Sequence, residues 1–78
     1  MAILYKKNVA IFDGVVSVEE AEGLLDWMQK MPKGKIDLAA CTHLHAANLQ
    51  VLMAAGTAIA AWPQDDDLKT WLLAAMNS

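Results

Sequence analysis

Lys35-Ile-Asp-Leu-Ala-Ala-Cys41, then His45-Ala-Ala-Asn-Leu-Gln-Val-Leu-Met-Ala-Ala55, then Gly56-Thr-Ala-Ile-Ala-Ala-Trp62-Pro63: these three runs determine how the chain folds. The first follows a Pro32/Gly34 break and carries its larger apolar side chains, Ile36 and Leu38, two apart, as a strand does. The second is built of helix formers and meets Gly56 where a helix prefers its C-cap. The third is short, apolar and bounded by Gly56 and Pro63, which suits a buried parallel strand over residues 57–62 better than another helix. Strand, helix and strand in that order make a right-handed βαβ crossover.

The same alternation extends outward. Upstream, Met1-Ala-Ile-Leu-Tyr5 and Val9-Ala-Ile-Phe12 flank the turn-forming Lys6-Lys7-Asn8, a hairpin whose second strand Asp13-Gly14 is expected to break. Ser17-Val-Glu-Glu20 reads as a capping box opening a helix over residues 17–29, with Val18, Ala21, Leu24, Leu25 and Met28 on its inward face. Downstream, Asp65, Asp66 and Asp67 suit a helix N-terminus, and Leu68, Trp71, Leu72 and Ala75 follow amphipathic spacing. The expectation is one α/β domain over residues 1–78: an N-terminal hairpin, then alternating helices and strands, with a mostly parallel sheet and three helices.

Composition excludes several functions. Hydrophobic residues make up 56% and charged residues 19% of 78, too apolar for a disordered chain. Six basic against nine acidic side chains give a net charge of −3, which offers no field for a nucleic acid backbone. The most apolar window, residues 44–62, is carried by alanine and interrupted by His45, Asn48, Gln50 and Gly56, so no membrane span is expected. One cysteine, Cys41, and no signal-peptide pattern favour a reducing, cytoplasmic setting.

Residues able to carry chemistry are few. Cys41, His43 and His45 alternate, so a regular strand would turn them to one side as three metal ligands; this small metal-binding or redox-responsive reading needs a fourth ligand, which a second subunit could supply. Ser17 reads as a cap and Ser78 is the last residue, which leaves nucleophilic catalysis little to use, and no glycine-rich phosphate loop is present. Neither an enzyme nor a cofactor is expected. Trp27 lies off the stripe of its helix, either as a rim residue of the core or as a partner anchor. The helix over residues 45–55 is apolar on two sides: Ala46, Leu49 and Met53 on one, Ala47, Val51 and Ala55 on the other. One side packs on the sheet, and the other is left for a neighbouring helix or a partner.

The segment Ile36-Asp-Leu-Ala-Ala-Cys-Thr-His-Leu-His45-Ala-Ala-Asn-Leu-Gln-Val-Leu52 resembles the signature of STAS domains, the bacterial family of anti-sigma factor antagonists and their relatives. The upstream Asp13-Gly14 and the helix after it are similar to the family's first strand–helix unit. In that alignment the family's motif aspartate falls on His45, its phosphorylatable serine on Ala46, the next hydroxyl residue on Ala47 and its glycine on Asn48. Ala46 has no hydroxyl, so the serine phosphorylation switch is unavailable; Thr42 is the nearest hydroxyl but lies outside the matching position.

The resemblance implies a non-enzymatic adaptor that docks a protein through the loop and helix starting near His45, using His45, Ala46, Asn48, Leu49 and Met53, with Trp27 as a further anchor. The partner would be an anti-sigma kinase-like regulator, a chemotaxis or other signalling component, or a transporter ATPase. Protonation of His45 would put a positive charge at the positive end of the helix, so docking is expected to weaken in mild acid. The tryptophans Trp27, Trp62 and Trp71 and the high apolar content leave a homodimer open as well.

Overall fold

The computed structural model describes residues 2–76. Met1, expected at the head of the hairpin, and Ser78 lie outside the described residues. The chain is α/β, with strands β1 (Ile3–Tyr5), β2 (Val9–Val16), β3 (Lys35–Leu44) and β4 (Ala58–Ala61) and helices α1 (Ala21–Lys30), α2 (Ala46–Ala55) and α3 (Asp66–Met76). A single 3₁₀ turn, Val18–Glu20, leads into α1. The sheet order is β1-β2-β3-β4; β1 runs antiparallel to β2, and β2, β3 and β4 are parallel. The crossovers β2-α1-β3 and β3-α2-β4 step the same way along the sheet, which for connections of the usual right hand puts both helices on one face, and α1 packs against α2.

Alternation along β2 turns Ala10, Phe12 and Val16 inward and Ile11, Asp13 and Val15 outward. The inward residues join Ile3, Ile36, Leu38, Cys41 and Leu44 of the other strands in one core. That core takes Leu24 and Met28 from α1, Leu49 and Leu52 from α2, and Leu68 and Leu72 from α3. Val18 and Leu25, expected inward, stand 53% and 43% exposed, so the buried stripe of α1 narrows to Leu24 and Met28.

Three local expectations are corrected. Asp13-Gly14 does not end β2: Gly14 adopts φ +69°, which only glycine holds without strain, and the strand runs on to Val16. The capping box does not close, because Ser17 makes no side-chain cap bond and the helix starts as a 3₁₀ turn. Glu20 Oε1 instead accepts a hydrogen bond from the Ala2 amide at 3.2 Å, tying the head of β1 to α1. Finally, β3 does not stop at Cys41 but reaches Leu44 through two irregularities in its pairing with β2. Ile11 pairs with Asp37 but Asp13 with Ala40, and Gly14 pairs with Cys41 but Val15 with His43. Each step adds one residue to β3, as a bulge does. The buried positions of β3 therefore run Ile36, Leu38, Cys41, Leu44, first two and then three apart.

Candidate functional site

The second irregularity decides what the C-terminal end of β3 presents. Cys41 pairs with Gly14 on the core face, while His43 pairs with the outward Val15. Cys41 is 1% exposed, and its thiol donates to the His43 carbonyl at 3.5 Å. Burial pushes the thiol up from its ordinary value, and the Asp13 carboxylate adds in the same direction. The three-ligand arrangement therefore does not form: Cys41 faces in, His43 faces out, and His45 is engaged at a helix end. Among the described residues, no group of three or more His, Cys, Asp or Glu side chains is placed to hold a metal ion.

His45 is the N-cap of α2. Its backbone is extended at φ −64° and ψ 141°, and its Nδ1 accepts from the Ala47 amide at 3.0 Å. Imidazole is an unusual cap, and the bond requires Nδ1 unprotonated. The opposite end of α2 closes on Gly56 at φ +63°, the left-handed cap its sequence position implies.

Two residues expected on the docking surface lie inside. Leu49 is 6% exposed, part of the core, and Asn48 is wholly buried. The Asn48 Nδ2 donates to the Ser17 carbonyl at 2.8 Å and approaches the Val16 carbonyl at 3.5 Å, pinning the start of α2 to the end of β2. A helix apolar on both sides gives no signal for which side turns inward, and Asn48 adds a second donor to carbonyls that already accept backbone amides, Val16 from His45 at 2.9 Å and Ser17 from Glu20 at 3.1 Å. The exposed stripe of α2 is instead Ala46, Gln50, Met53 and Ala54, spaced as one helical face, with Met53 47% exposed.

Trp27 is half-buried and structural. Its ring lies 5.5 Å from that of Tyr5, tilted by 38°, and its far edge sits over Gly34, where a Cβ would come within 2.5 Å of Cη2.

The N-terminal ends of α2 and α3 meet beside β3, where a cleft of about 610 Å³ opens. Thr42, His43, His45 and Ala46 line it on one side, and Asp65, Asp67, Leu68 and Trp71 on the other. Asp65 Oδ1 accepts from the Leu68 amide at 2.9 Å and so caps α3, as its place before an amphipathic run implies. Trp71, on the amphipathic stripe of α3, is 41% exposed and forms part of the cleft wall. The sequence places α3 as a helix but not beside His45, because only the tertiary fold brings residues 42–46 and 65–71 together. Among the described residues, no helix is long and apolar enough to cross a membrane. No known protein family matches the chain, and no characterised protein matches it.

Proposed function

We propose that this chain is a non-enzymatic, STAS-like adaptor that docks a protein partner through the start and exposed side of α2, without a serine phosphorylation switch. The observation that carries the reading is the exposed stripe Ala46, Gln50 and Met53, which begins at the His45 cap and adjoins the cleft between α2 and α3. Small side chains and a flexible methionine make a shallow surface that adapts to a partner. The segment resembling the STAS signature supports the reading, since residues 36–52 form a strand leading directly into this helix. Ala46 stands where that family carries its phosphorylated hydroxyl, so docking here would be constitutive.

The partner classes this reading admits are an anti-sigma kinase-like regulator, another signalling component and a transporter ATPase. Affinity capture from the source cells, with wild type beside Met53→Glu and Ala46→Glu, tests it. A protein retained by wild type and lost by both folded variants supports docking at α2. Equal retention by all three sinks it.

A further inference from the structure

One sheet face is left uncovered by the helices. The buried residues of all three helices belong to a single core with the inward strand residues, so the outward face carries Leu4, Ile11, Asp13, Val15 and Lys35 without a helix over it. Leu4 and Val15 are 58% and 61% exposed, and Leu4 pairs directly with Ile11. We propose that this face binds a second copy of the chain about a two-fold axis, with the strands of the two sheets running in opposite directions. The proposal does not depend on docking at α2, which lies on the other side of the sheet.

Charge on the chain selects that occupant and that orientation. Lys6 and Lys7 form the hairpin turn, and the Lys35 amide donates to the Asn8 carbonyl at 2.9 Å, so these ammonium groups gather at the end where β2 and β3 begin. At the opposite end stand Asp13 on the open face, Glu19 after β2, and Asp65 and Asp67 on the cleft. Lys35 pairs with Val9, two residues before Ile11, and Asp13 lies two residues after it. A two-fold axis across the strands at Ile11 therefore sets Lys35 of each copy toward Asp13 of the other while it buries Leu4, Ile11 and Val15. Two sheets stacked face to face at ~10 Å leave a spacing that apolar side chains fill. Asp37, in register with Ile11 near the axis, is held by its own chain: Oδ1 accepts from the Ala39 amide at 3.0 Å. A two-fold axis along the strands would instead stack the lysine-bearing ends of the two copies on each other.

Sedimentation equilibrium from micromolar to millimolar concentration tests the proposal, with circular dichroism to confirm folding. Wild type is expected to pass from monomer to dimer and no further. Val15→Lys, Lys35→Glu and Asp13→Lys should each weaken dimerisation about tenfold or more, because each puts an unpaired or like charge into the contact. Lys35→Glu combined with Asp13→Lys should recover most of the loss, whereas Val18→Lys, exposed but off this face, should cost nothing. A monomer at every concentration, growth beyond the dimer, a dimer indifferent to Val15→Lys, or no recovery in the double exchange would overturn the proposal.

Discussion

The buried amide of Asn48 reaches across 31 residues of chain to donate to the Ser17 carbonyl at 2.8 Å, fastening the N-terminal turn of α2 to the end of β2. Asn48→Ala removes this bond and leaves a void at a wholly buried position, so it should lower stability by about 1–3 kcal/mol. Because the side chain is wholly buried, the loss should appear in chemical denaturation. A variant as stable as wild type would mean that the bond contributes nothing.

Gly34 lies beneath the Trp27 ring, and a Cβ there would meet Cη2 at 2.5 Å, Cζ3 at 2.9 Å and the Met31 carbonyl at 3.0 Å. The ring has little room to yield, because Tyr5 packs against it. Gly34→Ala should cost about 1–3 kcal/mol, as overpacking does. A double-mutant cycle checks the cause: in the Trp27→Ala background the same change should cost distinctly less. Equal costs in both backgrounds would place the strain elsewhere.

The cap at His45 predicts a graded series. His45→Ala removes the acceptor for the Ala47 amide and should destabilise by about 0.5–2 kcal/mol, whereas His45→Asn and His45→Ser keep an acceptor and should recover most of it. Thermal melts of the three variants read the order directly, and an alanine variant equal to the asparagine variant would contradict the cap.

Alkaline pH should loosen the fold. Burial raises the Cys41 thiol, with Asp13 adding to it, and burial raises the Tyr5 phenol, with Glu20 adding to it. An acid whose folded value is raised contributes its full stability below the unfolded value and loses it as pH climbs through the folded one. Melting temperature should therefore fall as pH climbs through about 8.5, where an ordinary thiol is half ionised. Cys41→Ala should remove the first part of that fall and Tyr5→Phe the later part. The Tyr5 hydroxyl is buried without a hydrogen-bond partner among the described residues, so Tyr5→Phe should also be at least as stable as wild type at neutral pH. An unchanged alkaline fall in both variants would refute the assignment.

Much of the architecture is legible in the sequence because turn chemistry and periodicity agree there. Gly56, Pro63 and the Asp65 cap each mark a boundary at or beside the place where an element begins or ends. What escapes is phase. Ile36 and Leu38 announce a strand, but Ala39, Ala40 and Thr42 carry no large side chain that would signal the bulges. Those bulges turn Cys41 inward and His43 outward, separating residues whose spacing suggests a shared metal. In α2 the buried residues Asn48, Leu49 and Leu52 cut across the apolar sides read from the sequence, so Leu49 is buried while Met53 of the same side is exposed. The far wall of the cleft, Asp65, Asp67 and Trp71, reads as ordinary α3 sequence until the fold sets it beside His45.

Capture with Met53→Glu beside wild type asks whether the exposed side of α2 docks a protein partner. Met53 is 47% exposed, so the charge should leave the melting temperature within a few degrees of wild type while the partner is lost. A folded Met53→Glu that retains every protein wild type retains would contradict docking at α2.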